Sequence, residues 1–223
     1  MWEDKFKLSQ DQSIFLMKKL WDKNIYCGMK MENRNVTFPQ TQTILEGINV
    51  GEVSLSDVDA IRAMRDGWRF VADSFDEPIT LPYVQKVNEI VSRTENLAPG
   101  HVRTGKVSIS STSYAPPLPD QKEACRRIEE AVSGAGSATQ RALDYFLWAL
   151  PAQLFWDGNK RTGLMIADTL MLQNGAGMIN IADNHIERFN TLLNDYYNSF
   201  LTTPNPAPLK AFLYEFCIDG IEF

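Results

Sequence analysis

The chain has 223 residues, 44% of them hydrophobic, which is enough for one sizeable core, and no long polar tract suggests disorder. A formal net charge of -6 leaves no basic face for a nucleic-acid polymer, so nucleic acid is excluded as a partner, while a small anionic ligand needs only a few local cations and amides. Cys27, Cys125 and Cys217 are too widely spaced for a disulfide framework or a zinc site, and the most apolar run, FLWALPAQLFW (146–156), is too short to cross a bilayer.

Residues 1–36 read as an N-terminal part with one helix (Gln10 to Trp21) and a connector. MWEDKFKLSQ has no apolar signal-peptide core, so a cytoplasmic protein with no membrane partner is expected. Residues 37–223 read as one all-α domain without internal repeats. Its helix starts are marked by Thr37-x-x-Gln40, Asp120-x-x-Glu123 and Ser137-x-x-Gln140, which match or approximate the capping box. Pro39 and Pro82 suit first turns, where a missing N–H costs little. Within 56–75 the positions Val58, Ile61, Met64, Trp68, Val71 and Phe75 form one stripe to be buried. Gly47, Gly134 and Gly175 mark helix ends.

HVRTGKVSISSTSYAPPLP (101–119) differs. It alternates at Val107 and Ile109, then runs through Ser and Thr to paired prolines, the pattern of a short β-hairpin or an extended flap. Gly100 to Val107 nearly spells the P-loop, G-x-x-x-x-G-K-S/T. However, Val107 has no hydroxyl for Mg²⁺, and an alternating segment follows where a P-loop would open a helix.

The stretch QLFWDGNKRTG (153–163) has a better context. Pro151 closes the helix before it, Phe155 and Trp156 can anchor it in the core, and a helical pattern runs from Gly158 to Gly175. The N–H groups of Gly158, Asn159 and Lys160 then lie in an unpaired first turn, at the positive end of a helix. Lys160 and Arg161 add charge. Asp157 would repel a bare anion but suits a site where Mg²⁺ bridges carboxylate and phosphate. The alternative is an ordinary Asp-Gly-Asn turn with Asp157 as a helix cap.

The run Phe155-x-Asp157-Gly158-Asn159-Lys160-Arg161-Thr162 resembles the Fic/Doc (Fido) signature, His-x-Phe-x-Asp/Glu-Gly-Asn-Gly/Lys-Arg. Glu32 to Thr37 with ILEG (44–47) resembles the entry to many Fic cores. Gly100 to Arg103, Val107 to Ile109 and Tyr114 to Pro117 resemble the family's flap. The resemblance covers roughly residues 30 to 215. It implies a compact helical bundle with a short β-hairpin flap, ATP and Mg²⁺ as ligands, and transfer of AMP to a Ser, Thr or Tyr hydroxyl of a target protein. Asp157 would bind the metal; Gly158, Asn159, Lys160, Arg161 and Thr162 would bind the phosphates. Val107, Ser108, Ile109, Ser110 and Ser111 would pin the target by strand-like pairing. An antitoxin-like or homo-oligomeric partner is also in keeping with the family.

This chain departs from the family in four places. Gln153 stands where the family has its histidine base, and neither His101 nor His185 lies in the signature. An amide has no usable proton affinity, and general-base help is typically worth ~10²–10⁴ in rate, so transfer is expected to be slow or absent. Lys160 resembles the Doc branch, which donates the terminal phosphoryl group, and Leu164 replaces a second arginine used on the γ-phosphate. Finally, Glu32-Asn33 resembles the end of the inhibitory motif Ser/Thr-x-x-x-Glu-Gly/Asn, but Gly28 stands four residues earlier and Leu164 cannot pair with Glu32. A weak or idle AMP transferase, a Doc-like protein kinase and a catalytically dead nucleotide-binding module therefore remain as readings.

Overall fold

A computed structural model describes residues 2–96, 98–110 and 112–221. Helix α1 (Gln10–Met31) opens on a reciprocal capping box between Ser9 and Gln12. It runs ten residues past the expected end at Trp21, because nothing between Asp22 and Met31 breaks it and its far half is needed for packing. Ile25, Cys27, Met29 and Met31 are all buried. Gly28 is tolerated mid-helix because a Cβ there would lie 2.7 Å from Met64 Cε and 3.6 Å from Arg161 Cγ, so the close approach of two neighbouring helices outweighs its low helix propensity.

The other helices begin and end close to their sequence signals. Thr37 and Gln40 close the box at α2 (Phe38–Leu45), and Ser54 caps α3 (Leu55–Asp73). Thr80 caps α4 (Leu81–Val91), with Pro82 in its first turn. Asp120 and Ser137 cap α5 (Gln121–Ser133) and α6 (Ala138–Ala152). Helix α7 (Asn159–Gln173) is followed by Gly175 at φ 70°. Helices α8 (Asp183–Ser199) and α9 (Ala207–Phe216) complete the bundle.

Helix α7 is the centre. Every residue from Arg161 to Leu172 is buried, and α1, α3, α4 and α6 pack around it. A helix apolar on all sides has no solvent face and belongs in a core. Leu164, Met165, Ile166, Leu170, Met171 and Leu172 are each at most 2% exposed, and burying each contributes roughly 1.5–3 kcal/mol. Trp68 and Val71 of the α3 stripe are fully buried in the same core.

A two-stranded antiparallel sheet, β1 (Met178–Ile179) with β2 (Ile218–Asp219), pairs Met178 with Asp219 and Ile179 with Ile218. Beside it, the buried Asp168 carboxylate accepts from the Ile179 N–H and, at 2.7 Å, from Asn24 Nδ2, joining α7 to β1 and α1. The expected β-hairpin in 101–119 does not form among the described residues: the segment is irregular, and Val102 makes an isolated bridge to Phe155. No described helix is long and apolar enough to cross a membrane.

Candidate functional site

The chain leaves α6 through Gln153, which has φ 45° and ψ 61°. A non-glycine residue in this region costs of order 1–3 kcal/mol and persists only when its surroundings hold it there. Here they do. Its N–H donates to Ala149 O (3.3 Å), and its carbonyl accepts from the Arg103 guanidinium. The side-chain Nε2 donates to Leu150 O at 2.7 Å, and Oε1 accepts from Asn159 Nδ2 at 3.1 Å. Both ends of the amide are engaged, so Gln153 acts as a strut between the end of α6 and the start of α7. Neither histidine stands in for a base: His101 is exposed with Nδ1 beside Pro99 O, and His185 lies against Phe212 and Phe216.

The loop after it is built around Asn159. The Asn159 side chain accepts from the Phe155 N–H (2.9 Å) and donates to the Phe155 carbonyl (2.8 Å); the Phe155 ring is 1% exposed in the core, whereas Trp156, expected beside it, is 40% exposed and anchors nothing there. Gly158 is the N-cap of α7 at φ 72°. The carbonyl of Asp157, just before it, accepts from Asn88 Nδ2 at 2.9 Å, and the Gly158 N–H donates to Asp157 Oδ1. The Asp157 side chain is 49% exposed at the mouth of the turn.

Thr162 N–H donates to Gly158 O at 2.8 Å and starts the helical ladder, while the N–H groups of Asn159, Lys160 and Arg161 have no protein acceptor among the described residues. They sit at the positive end of the central helix, the arrangement that accepts an anion. The Thr162 hydroxyl faces Asn88 Nδ2 at 3.0 Å and is buried.

The two cations of the signature are held by the protein. Lys160 Nζ donates to Met31 O (2.6 Å) and pairs with Glu32 Oε2 (3.0 Å). The Arg161 side chain is 1% exposed. It donates to Val91 O (3.0 Å) and pairs with the Glu95 carboxylate, with Glu32 Oε1 at 3.8 Å and Asp157 Oδ1 at 3.5 Å. Glu95 also pairs with Arg34, which reaches Asp57 at 2.7 Å. Three cations (Arg34, Lys160, Arg161) thus meet four carboxylates (Glu32, Asp57, Glu95, Asp157). Arg161 is a strut between α7 and α4, and Lys160, partly exposed, is the cation nearer the surface. Glu32 reaches Lys160 without needing an arginine at Leu164, which is fully buried in the core.

The described residues contain no cluster of three or more His, Cys, Asp and Glu that could hold a metal. Asp157 alone fits Mg²⁺ only if phosphate oxygens complete the shell. The chemistry of the corner fits such a shared ion: one exposed carboxylate beside unpaired amides.

The flap is fastened at Arg103, 2% exposed. Besides Gln153 O, its guanidinium donates to Gly105 O (2.7 Å), Pro117 O (2.5 Å) and Ala152 O (3.4 Å). Burial lowers its pKa, and the carbonyls that offset that cost include those at the negative end of α6. Val107, Ser108, Ile109 and Ser110 form the loop between those fastenings, without regular strand pairing, and Ser111 lies outside the described residues. Asn88 and Glu95 lie outside every motif of the sequence, and Arg103 belongs to one only as part of the flap. Asn88 carried a faint signal as the one polar residue among Val84, Val87 and Val91 on a buried stripe.

No family model and no curated protein matches the chain. Among solved structures it is similar to a Fic-domain-containing signalling protein from Bacteroides thetaiotaomicron, at TM-score 0.72 and 18% identity over 93% of this chain and 86% of that one. A Fic family protein from Desulfovibrio desulfuricans matches at TM-score 0.70 and 14% identity, covering 89% of this chain and 62% of that one. Fic-1 from C. elegans matches at TM-score 0.69 and 14% identity, covering 92% and 68%. What these proteins share with this chain is the fold, a Fic-type helical bundle.

Proposed function

We propose that this chain, built on the Fic fold, is a Fic-family protein that binds a nucleotide with Mg²⁺ at residues 157–162 and is impaired in transferring AMP from it to a target hydroxyl. The observation that carries the reading is the first turn of α7, where three N–H groups lack acceptors among the described residues behind a left-handed Gly158, with the Asp157 carboxylate beside them. Asp157 would hold Mg²⁺ together with phosphate oxygens, and the ion would spread the phosphate charge. The amides of Asn159, Lys160 and Arg161 would take the remaining phosphate oxygens, and the flap around Val107 to Ser110 would receive the target segment. Lys160 would turn to the ligand once Glu32 is displaced, while Arg161 supports the turn from beneath.

Gln153 supplies no proton acceptor to an incoming hydroxyl, and its hydrogen bonds to Leu150 and Asn159 keep it from orienting one freely. The expected outcome is binding without useful turnover. A second reading, donation of the terminal phosphoryl group, rests on Lys160 as the residue at that position of the signature, and it requires the ammonium to leave Met31 O and Glu32.

Calorimetric titration with ATP–Mg²⁺ tests the first part: binding lost in Asp157→Ala supports the cradle, and no heat at millimolar ATP ends it. Gln153→His with ATP labelled at the α or the γ position tests the second. Transfer of the α label to protein marks AMP donation, and transfer of the γ label marks kinase-like donation. Absence of both from a whole-cell lysate removes the enzyme reading.

A further inference from the structure

Asn88 lies in the last turn of α4, is 0% exposed, and has every polar atom of its side chain engaged. Nδ2 donates to Asp157 O (2.9 Å) and Thr162 Oγ1 (3.0 Å); Oδ1 accepts from Gly100 N (3.0 Å) and Ser92 Oγ (3.3 Å). Ser92 caps α4 itself; the other three partners belong to three different parts of the site: the peptide entering Gly158, the first turn of α7, and the residue from which the flap departs. We infer that Asn88 is a positioning residue for the anion cradle, one that sets the plane of the Asp157–Gly158 peptide and couples it to the root of the flap. This inference rests on the nucleotide-site reading only for its consequence, not for its geometry.

The physical chain is short. A trans peptide is planar, so its C=O and N–H point in opposite directions. Drawing the Asp157 carbonyl towards α4 turns the Gly158 N–H away from α4, towards the Asp157 carboxylate at the mouth of the turn. Gly158 is free to rotate, since a glycine at φ 72° has no side chain to hold it, so an external anchor must choose the orientation. A buried amide with all its partners satisfied is a stiff anchor, because swinging it away would leave several polar groups unpaired. Through Oδ1 the same side chain holds Gly100, so the cradle peptide and the departure of the flap share one support.

The test compares Asn88→Asp, which keeps the shape but can donate at most one of the two hydrogen bonds that Asn88 donates, with Asn24→Ala, which removes another fully buried asparagine, one bonded to Asp168 further along α7. In ligand-free protein, Asn88→Asp is expected to shift the Gly158 and Gly100 amide resonances and speed their hydrogen exchange. ATP–Mg²⁺ affinity is expected to fall about tenfold or more, the scale seen when a residue supporting a ligand site is lost. Asn24→Ala, at a comparable loss of melting temperature, should leave both readouts near wild type. The inference is overturned if Asn88→Asp behaves like Asn24→Ala, lowering stability alone. If wild type binds no nucleotide, the functional reading fails while the Gly158 and Gly100 amides still decide the positioning role. If Asn88→Asp does not fold, exchange of the Asn88 side-chain amide protons in wild type decides it: slow exchange supports the anchor and fast exchange refutes it.

Discussion

Gly158 combines two demands that no other residue meets together. Its φ of 72° favours glycine, and a Cβ would stand 2.9 Å from Ser92 Cβ and 3.2 Å from Asn88 Nδ2. Gly158→Ala is therefore expected to destabilise the fold by about 1–3 kcal/mol, read as a lower midpoint in urea, and unchanged stability would contradict the geometry. Glu32 poses the opposite kind of question, since its carboxylate takes up Lys160 at the rim. If nucleotide phosphate competes for the same ammonium, Glu32→Gln should tighten ATP–Mg²⁺ binding several-fold by calorimetry, because only the charge is removed. Weaker binding would mean that Glu32 helps to build the cradle. Each partner of this pair is only about one-fifth exposed, so the cost of taking both charges out of water offsets much of their attraction and the ion pair itself adds little to stability.

At the scale of elements, the flap and α6 are held together through one guanidinium. Arg103 bonds the carbonyls of Gly105 and Pro117 near the two ends of the loop and those of Ala152 and Gln153 at the end of the helix. Arg103→Ala would leave these carbonyls short of donors and free the loop between them. The expected loss is about 2–4 kcal/mol, with faster cleavage between residues 104 and 117 in limited proteolysis. Cleavage at the wild-type rate would show that other contacts hold the flap. The alternation at Val107 and Ile109 points to a strand, yet no regular strand forms there among the described residues. The segment's attachment to α6 was not legible, because an arginine followed by a threonine and a glycine says nothing about which distant carbonyls it will meet.

At the scale of the whole molecule, α7 collects nearly everything that matters. Its start carries the candidate cradle, its middle the core, and its buried Asp168 the link to α1 and β1. Burial pushes the Asp168 carboxyl well above the usual carboxylate range, against the opposing hydrogen bonds from Ile179 and Asn24. For an acid, a raised folded pKa means that the native state holds the proton more tightly than the unfolded chain. Its contribution is full below the unfolded value and fades as pH rises through the folded one. Asp168→Asn removes that titration, so the melting temperature of the variant should fall less than that of wild type over the window that opens as pH rises above the ordinary carboxylate value of about 4. Parallel curves would show that Asp168 does not titrate in that window.

The sequence by itself determined the features whose causes are local. Helix starts at Thr37, Asp120 and Ser137, the buried stripe of α3, and a glycine-led turn before a helix at 158 all depend on residues within a turn or two of one another. The end of α1 was missed for the converse reason: its second half is helical because α3 and α7 pack against it, and spacing alone did not reveal that. Only the tertiary structure decided how the charged groups are spent. Lys160 meets Met31 across 129 positions, and Arg161 meets Glu95 across 66. A charge in sequence is a capacity to pair, and burial, by stripping away water, makes it choose among the partners the fold brings within reach.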